Sequence, residues 1–318
     1  MPLSSSSRSL LQIHFCVILW GFTAILGKLI SLPAATLVWW RMVLVVGTLL
    51  LVPRFWSGLR GMATRLIWIY AGIGAVVALH WLTFYGSVKL SNASVAATCM
   101  ALTPVFVAFV EPWVARRPFD ARELLFGLAV IPGVALVVGG TPSGMRLGIV
   151  IGALSSFLVS VFGSLNKRFI AHSDALSVTG IEMAAGVVTM TLLLPLLLPQ
   201  QQWFTLPAQR DATYLIALAL GCTLLPFALS LVALRHLTAF TTALAINMEP
   251  VYSIVLAVVL LGEQRELDPS FYLGVAIILA VVFSHPLLMH RHRAATEIAL
   301  TDGVAGAGQP GRDTNGSA

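Results

Sequence analysis

Runs of about twenty apolar residues recur ten times along this chain, at positions 10–30, 34–52, 66–88, 91–114, 122–138, 147–169, 175–198, 212–234, 238–261 and 270–288. A helix of about 20 residues crosses the ~30 Å hydrocarbon layer of a bilayer, where backbone polar groups must be satisfied inside the element itself. The connections are short and carry turn signals, at Leu32-Pro33, Gly139-Gly140-Thr141-Pro142, Leu198-Pro199 and Asp268-Pro269. The chain is 58% hydrophobic and 10% charged, whereas soluble domains carry about 25% charged residues. No globular core accounts for that balance, and the expected class is an all-α integral membrane protein.

The net charge of +6 does not point to nucleic acid, because the basic residues lie in short segments between apolar runs. They are unevenly placed. With the N-terminus inside, Arg8, Arg54, Arg60, Arg65, Arg116, Arg117, Arg122, Lys167, Arg168, Arg235, Arg291 and Arg293 fall on the cytoplasmic side. Lys28, Lys89, Arg146, Arg210 and Arg265 fall outside, and Arg41 lies within a span. This bias orients the chain with both termini cytoplasmic, in a bacterial-type inner membrane. Residues 1–9 are a short cytoplasmic segment, and 291–318, rich in Gly, Ala and polar residues, are expected to be disordered. Arg8 before an apolar stretch resembles the start of a signal peptide, but no small-residue cleavage site follows. Cys16, Cys99 and Cys222 sit inside apolar runs without paired spacing, so they indicate neither disulfides nor a zinc site.

The chain also repeats itself. A shift of 146 lays Ala101-Leu102-Thr103-Pro104-Val105-Phe106 on Asn247-Met248-Glu249-Pro250-Val251-Tyr252 and Lys89 on Arg235; a shift of 140 lays Phe22 on Phe162, Lys28 on Arg168 and Trp20 on Ser160; a shift of 141 lays Arg41 on Glu182. The drift between shifts is what loop insertions produce. Two halves of five helices each, 10–140 and 141–290, must sit in opposite orientation because five is odd. The expected architecture is therefore ten transmembrane helices as two inverted five-helix repeats around a central cavity, a recurring plan of secondary transporters.

Asn247-Met248-Glu249-Pro250 holds a carboxylate and a proline in the middle of an apolar run. An ionisable group at that depth costs about 2.5–3.5 kcal/mol on insertion scales and usually faces a pathway or interior. Proline frees a carbonyl one turn upstream that only protein or a wet cavity can satisfy. Trp20-Gly21, Lys28, Arg41, Thr103-Pro104, Glu249-Pro250 and Gly262-Glu263 together resemble the EamA-type drug/metabolite transporter superfamily, over about positions 15–286. One departure is plain, since Val114-Ala115-Arg116-Arg117 stands where that family often has Gly-Glu after its fourth helix. The resemblance implies ten helices, cytoplasmic termini and export of small metabolites, amino acids or organic cations, with the aromatic amino acid exporter branch as one parallel.

Candidate substrate contacts follow from helical spacing. His80, Trp81, Phe84 and Tyr85 share a face, which suits stacking and hydrogen bonding to a flat solute, or else an aromatic belt near the outer surface. Trp39 and Trp40 read as belt. Gly148, Gly152, Ser156, Ser160 and Ser164 recur every four residues, a stripe that lets helices approach closely. Because Ser160 matches Trp20 in the repeat, Ser156, Ser160 and Trp20 are also cavity candidates. Ser94 and Thr98 read as packing. In the ninth run Glu249 and Tyr252 share a face, with Asn247 beside them; Glu249 either binds an ammonium or carries a proton, or else satisfies structure near Pro250. Pro104 and Pro250 are candidate hinges. Arg41 and Glu182, repeat-equivalent and hence in opposite leaflets, read as structural anchors that do not pair.

Other chemistry finds no support. There is no P-loop for ATP, no His-Glu-x-x-His and no Gly-x-Ser-x-Gly. His290-Arg291-His292-Arg293 reads as a basic flank rather than a metal site. No cofactor or metal is expected, and the partners are a small-molecule substrate and the lipid bilayer, with no nucleic acid and the oligomeric state open. An aromatic-rich third helix favours amino acids, aromatic ones included. The alternatives are nucleotide sugars or phosphorylated metabolites, or organic cations. An intramembrane enzyme would need a pair such as Ser160 with His80, which the spacing does not support, and a channel differs from a carrier in showing no saturation or counterflow.

Overall fold

The computed structural model of the protein describes residues 5–115, 125, 128–169, 173–226, 229, 245–246 and 248–284. Asn247, the basic segments around Arg116 and Arg235, and the tail from 291 onward lie outside the described residues. Among the described residues every regular element is helical. They run α1 (Ser5–Leu29), α2 (Ala34–Leu50), α3 (Pro53–Arg60), α4 (Thr64–Leu90), α5 (Ala93–Met100), α6 (Thr103–Ala115), α7 (Ile131–Gly139), α8 (Arg146–Phe169), α9 (Ala175–Leu197), α10 (Gln209–Ile216), α11 (Glu249–Leu256) and α12 (Pro269–Ser284). α10 and α11 each continue as π-helix, over Ala217–Leu224 and Ala257–Leu261.

Five stretches are long and apolar enough to span a membrane, or six if the bent pair α2 and α3 counts as one. α8 shows the pattern that makes them bilayer helices. Leu147, Val150, Leu154 and Phe157 are exposed along one face, and Gly148, Gly152, Ser156 and Ser160 are buried along the other. Apolar side chains face outward and small or polar ones face the neighbouring helices, as packing in lipid favours.

Two sequence expectations change in detail. The second run does not simply end near residue 52: Pro53 restarts the chain as α3, bent by 87° from α2. Proline at the first turn of a helix loses no intrahelical bond, so Val52-Pro53 stops one helix and starts the next. The fourth run is two helices, α5 and α6, broken at Ala101-Leu102, with Pro104 in the first turn after the break.

α4 packs against α8 and α9, α2 against α9, and α5 and α6 against α8. α1 packs against α11 and the π-segment 217–224, which also meets α2, and α5 meets α11. α7 and α12 come together at Gly133 and Gly274, where a Cβ on Gly274 would stand 2.6 Å from the Gly133 carbonyl oxygen. Val130, Val137, Phe271, Val275 and Ile278 fill that contact.

Candidate functional site

The buried centre of the bundle is built around Arg41 of α2, 4% exposed. Its guanidinium lies flat over the Trp81 ring, with Cζ 3.7 Å from the ring centroid, a cation–π arrangement that strengthens where water is excluded. Nη1 donates to the Tyr85 hydroxyl at 2.7 Å, and Nε donates to Thr223 Oγ1 at 2.9 Å. Thr223 in turn donates to the Leu218 carbonyl at 2.7 Å, the i−5 partner that the π-segment brings into reach. Single π turns recur at functional sites; here the wider turn turns a hydroxyl toward Arg41. No carboxylate among the described residues lies within ion-pair distance of Arg41, since the one ion pair they form is Arg54–Asp174. Glu249 is within electrostatic reach of both Arg41 and Tyr85.

The rest of the aromatic face is tied into packing. His80 Nδ1 lies 3.0 Å from the Ser155 carbonyl oxygen and 2.8 Å from Ser155 Oγ, and Ser155 Oγ donates to the His80 carbonyl at 3.0 Å. A carbonyl only accepts, so the network assigns the ring hydrogen to Nδ1, and the lone pair of the neutral ring falls at Nε2. The His80 ring sits 5.3 Å from that of Phe162. Phe84 and Tyr85 are buried, and Tyr85 fills the space left by Gly27 of α1. Trp81 remains half-exposed, which makes it the ring of the four with the most open surface. Trp39 and Trp40 donate to Thr191 Oγ1 and the Thr205 carbonyl, both at 2.9 Å, near the end of α9 and the segment after it.

On the facing side α1 meets α11 at Gly21, where an added Cβ would be 3.2 Å from Tyr252 Cβ. Ser253 Oγ donates to the Gly21 carbonyl at 3.1 Å, and the Tyr252 hydroxyl is 3.2 Å from His14 Nδ1. Trp20 and Tyr252 are half-buried beside this crossing. Glu249 is the first residue of α11 and Pro250 the second, so the carboxyl stands at a helix N-terminus, where the backbone dipole favours negative charge. It is half-buried. Pro104 and Pro250 thus occupy corresponding places, each in the first turn of a helix that follows a break.

Ser156 and Ser160, expected on the cavity wall, are fully buried. Ser156 donates to the Cys99 carbonyl and Ser160 to the Phe157 carbonyl. A Cβ on Gly152 would stand 2.7 Å from Cys99 Sγ, and one on Gly148 would meet Ser91. The stripe therefore brings α8 against α4 and α5. Thr98 donates to the Ser94 carbonyl at 2.8 Å, within α5.

Two further carboxylates have distinct surroundings. Glu182 of α9 is buried; Asn166 Nδ2 is 3.4 Å from its Oε2, while its Oε1 has no partner among the described residues. It makes no contact with Arg41 within ion-pair distance. Glu263, 1% exposed, follows Gly262, whose φ of +71° opens the turn. Its two oxygens accept the Ala93 and Ser94 amides at 2.9 and 2.7 Å, so it caps α5 from across the bundle. A surface cavity of about 520 Å³ lies at the elbow of α2 and α3, lined by Leu50, Leu51, Pro53, Trp56, Ser57 and Arg60; it holds none of the groups around Arg41.

A bundle of apolar helices with a polar, ring-lined interior defines a polytopic membrane protein of the transporter kind. The EamA-like transporter family matches twice, over residues 8–139 and 146–291. The chain belongs to that family, whose members are membrane transporters of small metabolites rather than enzymes. A crystal structure with 17% identity superposes with a TM-score of 0.61, over 90% of this chain and 98% of that one, and shares the fold. No curated protein matches the sequence.

Sequence reasoning singled out Trp81, Tyr85 and Glu249 and took Arg41 as a structural anchor; it passed over Thr223, which the fold sets beside Arg41. The signal for Arg41 was present: it is the one Lys or Arg inside a span. Thr223 had none, because a π turn leaves no mark in residue spacing.

Proposed function

We propose that the protein is a secondary carrier, independent of ATP, that exports small organic metabolites, amino acids and aromatic ones among them, by alternating access. The observation that carries this reading is the polar, ring-bearing interior in which Arg41 meets Trp81, Tyr85 and Thr223, together with the half-buried carboxyl of Glu249 at the head of α11. A carboxyl there suits a substrate ammonium, and the Trp81 ring suits a flat side chain. Trp20 and Tyr252 complete the half-buried wall, with Asn247 beside Glu249 in sequence. His80, Phe84, Ser156 and Ser160 stand behind it, holding α4 and α8 in place.

The ten-helix inverted repeat is supported by contacts that come in exchangeable pairs. If the first five spans correspond to the second five, α4 on α8 corresponds to the π-segment 217–224 on α1, and α4 on α9 to 217–224 on α2. α5 and α6 on α8 then correspond to α11 on α1, while α2 on α9 and α5 on α11 correspond to themselves. The helix breaks at Pro104 and Pro250 are the places where two half-bundles would rock. The lysine and arginine bias sets both termini on the cytoplasmic face of an inner membrane.

The test is counterflow in proteoliposomes loaded with unlabelled amino acid. Labelled phenylalanine should accumulate transiently and saturably, as a carrier requires and a pore does not allow. Trp81→Ala should lower Vmax/Km by about 10-fold, the equivalent of the ~1–2 kcal/mol a desolvated ring contact supplies. Unchanged Km and Vmax at equal reconstitution would remove the α4 face from the site.

A further inference from the structure

We propose that Glu182 and Asn166 form a proton-binding site, in which the carboxyl is held as the neutral acid beside the amide, and that the crossing of α4 over α9 closes on this site only when the proton is bound. The site goes beyond the carrier reading and stands without it.

Asn166 Nδ2 lies 3.4 Å from Glu182 Oε2. The other two oxygens, Asn166 Oδ1 and Glu182 Oε1, are both buried and have no partner among the described residues. An amide oxygen and an ionised carboxylate only accept, and acceptors cut off from water and left unpaired are costly. Turning the amide over does not help, because it sets Oδ1 against Oε2, again two acceptors. One proton on the carboxyl resolves both. The acid O–H donates to the amide oxygen while the amide N–H donates to the acid carbonyl, two hydrogen bonds side by side.

The groups around the pair offer no substitute for that proton. Glu182 is 4% exposed and lies two turns inside the start of α9. Met42 of α2 and Phe55 of α3 pack on Gly186 and Gly180, on either side of it in the helix. Arg41 of α2 is held by Thr223 and Tyr85, and Arg54 of α3 by Asp174. On α4, Tyr70 donates to the Phe169 carbonyl, His80 Nδ1 is engaged by Ser155, and Arg65 is exposed, as is Arg60 of α3. Arg168 of α8 donates to the Val114 carbonyl at 2.6 Å. The other basic residue at this end of α8 is Lys167, and a variant decides its part.

A Cβ on Gly74 of α4 would stand 2.6 Å from Glu182 Cα. α4 therefore lies directly against the turn of α9 that carries the carboxyl, and drawing the two helices apart lets water reach it. Water favours the ionised form, and the closed crossing favours the neutral one. A proton bound more tightly by the closed crossing stabilises that crossing in return, so closure gains as pH falls and is lost as pH rises. α4 belongs to the first half of the repeat and α9 to the second. Under the carrier reading, a proton here biases the side to which the interior opens.

Spin labels at Trp68→Cys of α4 and Ala184→Cys of α9, both exposed positions, read the crossing by pulsed electron paramagnetic resonance; the three native cysteines are buried. In the otherwise wild-type protein the distance distribution should shift to its short, closed component as pH falls. Glu182→Gln, whose amide copies the neutral acid, should stay closed at every pH. Lys167→Gln should leave the shift in place, and sodium added at fixed pH should not reproduce it. Unlabelled wild-type protein at neutral pH should show the infrared band of a protonated carboxyl, lost in Glu182→Gln, a measurement that needs no transported solute. The proton site is overturned by a wild-type distance indifferent to pH, by a shift that survives Glu182→Gln, or by one that Lys167→Gln abolishes or sodium reproduces. It is equally overturned if wild type and Glu182→Gln show the same carboxyl bands. Each of these outcomes leaves counterflow untouched, so the carrier reading stands or falls on its own test.

Discussion

The charged groups at one rim of the bundle and those in its interior are used in opposite ways. At the rim several of them close a backbone. Glu263 takes two amides of α5, Asp211 takes the Ser31 amide and hydroxyl, Lys89 donates to the Ile30 carbonyl and Lys28 to the Ser91 carbonyl at 3.3 Å. Asn92, which caps α5 through the Val95 amide, also donates to Glu266. Helix ends carry unsatisfied amides and carbonyls, so charge placed there is consumed by architecture. Inside, Arg41, Glu182 and Glu249 have no opposite charge within pairing distance among the described residues. Charge that the fold does not consume is charge that a solute can use.

The sharpest test of the rim half is Glu263→Ala. Two buried amides lose a carboxylate, and a hydrogen bond to a charged group contributes about 1.5–3 kcal/mol. A loss of about 3 kcal/mol in SDS-induced unfolding is expected, with phenylalanine counterflow by whatever protein refolds left unchanged. If Glu263→Ala instead abolishes counterflow while stability holds, the division between rim and interior fails.

This division was only half legible in the sequence. Run length and apolar content gave the helices, and the shifted repeat placed Pro104 opposite Pro250, both of which begin helices after breaks. The stripe of Gly148, Gly152, Ser156 and Ser160 announced a close helix contact, and α8 makes it. Gly262-Glu263 was visible as a motif, but its work is done on Ala93 and Ser94, about 170 positions away, a separation no local pattern encodes. The same holds for Arg41, whose meaning depends on Trp81, Tyr85 and Thr223 from two other helices. Spacing shows which residues share a face of one helix; it does not show which faces meet.

Within the interior, Arg41 and Glu182 sharpen the comparison because a shift of 141 aligns them in the sequence. Arg41 has two hydrogen bonds and a ring; Glu182 has one long contact to Asn166 and an oxygen with no partner. The backbone of Glu182 is pressed against Gly74 of α4, where an added Cβ would stand 2.6 Å from Glu182 Cα, so this position serves the crossing of α4 and α9. Glu182→Gln keeps the shape and removes a formal charge that no group among the described residues balances. Stability should hold or rise, by up to about 1 kcal/mol, read in the same unfolding assay. A loss greater than 1 kcal/mol would reveal a cationic partner at Glu182 and erase the contrast with Arg41.

The smallest effect belongs to Arg54 and Asp174, the ion pair at the opposite end of the bundle. Arg54 Nη2 and Nε approach the same Asp174 oxygen at 3.1 and 3.2 Å, and the Arg54 side chain is 68% exposed. Asp174 has a second task, since its other oxygen accepts the Ser177 amide at 3.3 Å at the start of α9. An exposed pair contributes about 0.2–1 kcal/mol and is screened by salt, whereas losing a helix cap costs about 1 kcal/mol. Arg54→Ala should therefore cost no more than about 0.5 kcal/mol, Asp174→Ala about 1 kcal/mol, and the coupling from the double variant should stay below about 0.5 kcal/mol. That ordering says the carboxylate works here as those at the other rim do, on a helix end. A coupling above about 1.5 kcal/mol would make the pair itself the structural unit, and charge at the rim would then be stabilising through its partner rather than through the backbone it closes.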